Sequence, residues 1–244
     1  MLSSPILLKL VFVHLMGDFV LQTNKWVAQK EQKTWRSPLM YAHALVHGLL
    51  AWLVVWQFAF WPFAAAIAGT HLLIDIAKTA LQKRYPQQSK VWFLLDQALH
   101  LLILVVTAVL FSRIQVWKAL NDIVLPWQLV TAYLFVTKPA SILIKTLISH
   151  WKPNPLTHLQ DNREAQPKTS LAEAGMWIGI IERLLVLTFI LKGHWEAIGF
   201  LLAAKSVFRF GDLRGKHDMQ LTEYILIGTL MSFGLAILTG LLVT

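Results

Sequence analysis

The sequence predicts an all-α fold, a polytopic transmembrane helical bundle of about eight membrane segments. Three observations predict it. The 244 residues are 56% hydrophobic and only 14% charged, against about 25% charged in soluble domains. The mean hydropathy is +0.56. Apolar runs approaching the roughly 20 residues that a membrane-crossing helix needs recur along the whole chain. There is no cysteine, which excludes disulfides, thiolate metal sites, iron–sulfur clusters and cysteine nucleophiles. A bound metal would have nitrogen and oxygen ligands only.

The first span is read at residues 3–24. It lacks the basic leader and small-residue cleavage site of a signal peptide and is expected to be retained. A basic loop with Lys25, Lys30, Lys33 and Arg36 follows. The second span runs from about Leu39 to Phe60, and Trp61-Pro62 is expected to turn it into a third that reaches Leu81. Lys83, Arg84 and Lys90 lie in the next loop, before a fourth span from Val91 to Phe111. An amphipathic connector with Arg113, Lys118 and Asp122 leads to a fifth span, 125–149, where Pro139 predicts a kink. Residues 151–170 contain Pro153, Pro155 and Pro167 and read as a loop. Three apolar segments close the chain at 171–191, 196–210 and 221–243, the middle one short. Three regions are expected: 1–111, a four-helix half; 112–170, the connector, fifth span and loop; and 171–244, the C-terminal segments.

Lysine and arginine are distributed unevenly over the loops. Loops 23–40, 78–90, 150–170 and 209–220 hold fourteen, and those on the opposite side hold three. Positive residues concentrate on the cytoplasmic side, so both termini are expected on the non-cytoplasmic side of the membrane. The formal charge of +9 is thereby accounted for by topology, and no nucleic-acid partner is expected, since a basic footprint would cluster on one soluble face.

Four pairs of metal-ligating residue types share one spacing: His14 with Asp18, His43 with His47, His71 with Asp75, and Asp96 with His100. Each pair lies four positions apart and so shares one helix face. Alternating span directions bring all four to one depth, near the cytoplasmic face. Ordinary interhelical polar contacts are the simpler explanation for any single pair. Three aspartates inside membrane helices each cost about 2.5–3.5 kcal/mol on insertion scales and need strong partners. The four together predict a divalent metal site, zinc first, with manganese or iron as alternatives and one or two ions. Asp18 or Asp96 is the candidate general base. Gln22 extends the Asp18 face as a supporting residue. Lys78, three residues beyond Asp75, is a candidate contact for an anionic substrate group, with a snorkelling interfacial lysine as the other reading. Gln97 is expected to point elsewhere and to pack.

In the second half, Glu182, Arg183, Lys205, Arg209 and Glu223 fall at the same depth. They read either as interhelical salt bridges, Glu182 with Lys205 for example, or as an anion pocket. In the pocket, Arg183, Lys205 and Arg209 bind substrate, with Glu182 and Glu223 in support.

The strings from His14 to Gln22, Thr70 to Lys78 and Asp96 to His100 resemble a bacterial membrane family, domain of unknown function 3307. Trp177 to Arg183, Ala204 to Phe210 and Glu223 to Thr229 resemble its longer members. The resemblance implies a bacterial inner-membrane protein and one shared architecture, but no reaction. Three functions follow from the residues. The first is a metal-dependent hydrolase acting on a lipid, a lipid phosphate or another amphiphilic or anionic substrate from the membrane. The second is a divalent-metal or proton transporter using the same side chains. The third is a membrane scaffold or sensor with a structural metal.

Overall fold

The computed structural model describes residues 5–114, 126–149, 169–210 and 216–244, with the side chains of 114, 169–173, 208–210 and 216–222 outside the description. The described residues form helices, joined by short turns and irregular links, and no strand. Two compact units divide the chain, Met1–Leu134 and Phe135–Thr244. Among the described residues, five helical stretches are long and apolar enough to cross a membrane, or up to seven if each bent pair is one span.

The first unit begins with α1, Pro5–Leu15, which continues without a break into a π-helical turn, Met16–Leu21. A helix α2, Asn24–Lys33, follows at 89° to it, where the sequence reads as a basic loop. The local reason is plain in retrospect. The Thr23 hydroxyl caps the Trp26 amide at 3.4 Å, and the next ten residues contain neither Gly nor Pro and several good helix formers. Trp26, Val27 and Lys30 share the inward face of α2. A 3-10 turn, Thr34–Arg36, leads to α3, Pro38–Val55.

α3 ends earlier than the expected Phe60. Trp56 takes a left-handed φ of 56° as its C-cap, and a 3-10 turn, Phe58–Phe60, makes the reversal. Pro62 therefore sits in the first turn of α4, Trp61–Arg84, where its missing N–H has no helical partner to lose. α5, Ser89–Ile114, completes the four-helix core. α3 and α4 approach closely at Gly48, where an added Cβ would lie 2.9 Å from the Ala68 Cβ and 3.0 Å from the Ala64 carbonyl oxygen.

One end of this bundle is filled by Leu10, Ala51, Val55, Phe60, Ala64, Ile67, Leu104 and Phe111, all buried. Phe60 and Phe111 meet edge-to-face with centroids 4.8 Å apart. Lys9 is buried beside this end with its ammonium 5.6 Å from the Trp127 ring centroid. α6, Trp127–Phe135, adds the Thr131 hydroxyl, which donates to the Leu8 carbonyl at 3.4 Å.

In the second unit, α7, Lys138–Ile148, carries Pro139 in its first turn, so the expected fifth span is broken ahead of this proline. α8, Thr169–Leu191, and α10, Lys216–Leu241, enclose a core of Val186, Ile190, Phe233 and Ala236. α9, Trp195–Phe210, has 16 residues and is about 24 Å long, short of a hydrocarbon core of about 30 Å. Lys118, Asp122 and residues 151–168 of the expected loop 151–170 lie outside the described residues, and its last two residues begin α8.

The close approach at Gly48 can be checked against Gly69 on α4, where an added Cβ meets nothing within 4 Å. Gly48→Ala should lower the melting temperature of the detergent-purified protein, by on the order of 1–3 kcal/mol of stability. Gly69→Ala should leave it unchanged or raise it by up to about 1 kcal/mol, the gain in helix propensity.

Candidate metal centre

All four His/Asp pairs meet at the other end of the first unit's bundle. His14 and Asp18 come from α1 and its π turn, His43 and His47 from α3, His71 and Asp75 from α4, and Asp96 and His100 from α5. The five imidazoles are buried. His71 is the central ring: His47 stacks on it with centroids 3.8 Å apart, and His100 stacks with a spacing of 4.0 Å. His43 and His71 face each other through Nε2 atoms 3.1 Å apart.

Asp18 is the acceptor on which these rings converge. Its Oδ1 lies 3.0 Å from the Nε2 of His47, 3.1 Å from that of His43 and 3.5 Å from that of His71. Its Oδ2 is 3.9 Å from the His14 Nε2. Two ligands each about 2.0–2.1 Å from a tetrahedral zinc are themselves about 3.3 Å apart, so these separations suit a shared ion. His14, Asp18, His47 and His71 form one group able to hold a metal; His43, His71 and Asp75 form a second, and Asp18, Asp96 and His100 a third. Buried polar atoms in the cluster without a hydrogen-bond partner include both ring nitrogens of His100 and Oδ1 of Asp96, with His100 Nδ1 and Asp96 Oδ1 3.7 Å apart. Donor atoms left open inside a buried cluster fit ligation better than they fit a closed hydrogen-bond network.

The π turn and a glycine make this convergence possible. A Cβ on Gly17 would overlap the His47 imidazole, so only glycine lets α1 come this near to α3. π turns are rare single-turn insertions that occur often at functional sites. Here the turn carries Asp18 itself.

Two lysines complete the cluster. Lys30, from the inward face of α2, donates to Asp75 Oδ2 at 2.5 Å, with both side chains buried. Sequence reasoning missed Lys30, because it was counted as a loop charge. The available signal was the amphipathic spacing of Trp26, Val27 and Lys30. Lys78 donates to Asp96 Oδ2 at 2.7 Å and is 20% exposed. Gln97 does not point away from the site as expected. Its Nε2 donates to Asp18 Oδ2 at 3.2 Å and to Asp96 Oδ2 at 3.0 Å, and its Oε1 lies 3.2 Å from the His14 Nε2. Gln22 is partly buried, and its amide nitrogen has no hydrogen-bond partner.

In the second unit, Glu182 accepts from Lys205 at 2.6 Å, the salt bridge read from the sequence. Arg183 is buried and fully engaged by the protein. Its Nε donates to the Val136 carbonyl at 2.6 Å, and its terminal nitrogens donate to Ser232 Oγ, Ser141 Oγ and the Thr137 carbonyl. It ties together the backbone at the break ahead of Pro139, where the Thr137 carbonyl also accepts from the Ser141 amide at 3.2 Å. Glu223 is exposed, and the Arg209 side chain lies outside the described residues.

The Lys30–Asp75 pair gives a direct test of this geometry. Lys30→Ala leaves a buried carboxylate unpaired and should destabilise the protein by on the order of 3–5 kcal/mol. Adding Asp75→Asn to Lys30→Ala should recover part of that loss. A double-mutant cycle by thermal unfolding measures the coupling, which is absent if the two side chains do not touch.

No curated protein and no solved structure matches the chain. The second-half strings noted in the sequence lie beyond the matched family region. The family model described as "Protein of unknown function (DUF3307)" matches residues 6–131, over half of the 244 residues and the stretch bearing all four His/Asp pairs, and the chain belongs to that family.

Proposed function

We propose that this protein is a membrane-embedded metal-dependent hydrolase acting on a lipid, a lipid phosphate or another amphiphile. Its single divalent ion, zinc by preference, sits among His14, Asp18, His47 and His71. The observation that carries the reading is the charge balance. Asp75 has Lys30 and Asp96 has Lys78 as a countercharge, whereas Asp18 faces only imidazoles and the Gln97 amide. A buried carboxylate without a countercharge costs several kcal/mol, and a divalent cation between Asp18 and the Nε2 atoms supplies one. The lysines already hold the carboxylates of the other two ligand groups, which favours one ion over two.

A bound zinc polarises a phosphoryl or carbonyl oxygen and lowers the pKa of coordinated water to about 7. The protein's own residues divide the remaining work. Asp18 acts as a ligand. Asp96 has Oδ2 held by Lys78 and Gln97, while its buried Oδ1, 3.7 Å from His100 Nδ1, has no hydrogen-bond partner, which suits it to accept a proton from water as general base. Lys30, Asp75 and His43 hold the ligands in place from behind. Asp18 and Lys78, with side chains 9% and 20% exposed, mark the side from which substrate reaches the site.

Transport through the same residues is the weaker reading, because the apolar core from Leu10 to Phe111 fills the far end of the bundle. The loop charges support an orientation with the metal centre on the cytoplasmic side of a bacterial inner membrane. That orientation for α1 to α5 is independent of whether α9 crosses, while the side of the C-terminus depends on it.

Full-length protein extracted in mild detergent should carry about one zinc per chain by elemental mass spectrometry. His71→Ala and Asp18→Ala should abolish it, and Gly17→Ala should reduce it while leaving every ligand in the sequence. Metal-free wild-type protein that cannot be loaded with zinc would sink the proposal. Asp96→Asn should keep the metal yet slow hydrolysis of a lipid phosphate by about 10²–10⁴-fold; loss of the metal instead would make Asp96 a ligand.

A further inference from the structure

The first unit carries a second polar site, away from the imidazoles. A cleft of about 730 Å³ opens between the end of α2 with its following 3-10 turn and the end of α4. Lys33, Arg36, Lys83 and Arg84 line it together with Trp35 and Ala80. No acidic residue lines it, and all four cations are exposed. Among the described residues none of the four has a carboxylate within salt-bridge distance, in contrast to Lys30 and Lys78. The C-terminal ends of α2 and α4 contribute about −0.5 charge each. A large positive excess remains.

Two further observations separate the cleft from a mere scatter of loop charges. Thr34, the C-cap of α2, adopts φ 49° and ψ −127°, a backbone region that a β-branched residue rarely enters. Such strain persists where the surroundings hold it, commonly at binding sites. This strained residue aims the turn that presents Trp35 and Arg36. The Arg36 guanidinium lies 4.9 Å from the Trp35 ring centroid, which fixes its plane, and the Tyr41 hydroxyl donates to the Trp35 carbonyl at 2.9 Å. On the other wall, Arg84 Nε donates to the Tyr85 hydroxyl at 3.2 Å. Exposed Trp35, Tyr41 and Tyr85 cluster at this end of α3 and α4, and Trp56, Phe58 and Trp61 at the opposite end, as aromatic belts do at the two membrane–water interfaces.

We propose that this cleft binds a phosphate ester group at the depth of the lipid headgroups. Two guanidinium forks match phosphate oxygens bidentately and two ammonium groups add charge. The volume falls within the range of small-molecule sites, about 300–1,000 Å³. The site stands independently of the metal centre: it shares no residue with it, and its loss leaves every metal ligand in place.

The test uses delipidated full-length protein in neutral detergent, titrated by native mass spectrometry with phosphatidic acid, phosphatidylcholine and inorganic phosphate. Wild-type protein should retain phosphatidic acid in preference to phosphatidylcholine. The double variant Arg36→Gln/Arg84→Gln should weaken that binding by about tenfold or more, since two charge-assisted contacts go. Arg36→Lys/Arg84→Lys keeps the loop charge and should show an intermediate loss, which a purely topological role would not produce. Ala80→Glu places a carboxylate among the cations from an exposed position and should abolish binding even if the arginine variants fail to fold. Competition by inorganic phosphate would assign the site to soluble phosphate compounds, and retention of the lipid alone would assign it to headgroups. Equal binding of the two lipids by wild type, or unchanged binding in folded Ala80→Glu, overturns the proposal. Zinc content should be the same in all these variants, so failure here is separable from failure of the metal reading.

Discussion

Three aspartates buried among apolar helices govern the organisation of the first unit. A carboxylate removed from water is tolerated only with a countercharge or several donors, and each aspartate obtains them differently. Asp75 draws Lys30 down from α2. Asp96 takes Lys78 from α4, one helix away. Asp18 collects imidazoles from three other helical positions and an amide from α5. The angle of α2, the glycine at 17 and the stacking on His71 all follow from meeting these demands in one place.

The same constraint explains the division of the bundle into two ends. Phe60, Phe111 and their neighbours close the far end by close packing, and polar groups are concentrated where the carboxylates already are. Concentration is the economical arrangement in a low-dielectric interior, because each polar group satisfies more than one neighbour. Gln97 illustrates it by contacting His14, Asp18 and Asp96 at once.

Much of this was legible in the sequence. The fourfold repeat of one spacing, combined with alternating span directions, predicted that His14 and Asp18 would meet residues more than eighty positions away. Long-range convergence is readable when helices are obligatory and their directions alternate. The parts that were not legible depend on local geometry. Lys30 looked like a topology marker because lysine is abundant in such loops, and only the fold of α2 turns it inward. Gln97 was assigned to another face by its offset from Asp96, yet a long amide reaches both neighbours. Arg183 looked like an anion ligand, but the broken backbone before Pro139 supplied neutral carbonyl partners that no spacing rule anticipates.

The π turn at Met16–Leu21 bears on how this family can vary. The apolar face of α1 is set by its packing on α3 and α5, while Asp18 and the exit toward α2 are set by the imidazoles and by Lys30. A turn of this kind absorbs one extra residue, so the chain after it keeps its phase and only the residues within the turn leave their regular α-helical positions. Asp18 is one of them, and a one-residue deletion between His14 and Asp18 would shift it by up to about 100° around the helix axis with no ligand having been changed. Length between His14 and Asp18 is therefore a constraint separate from composition.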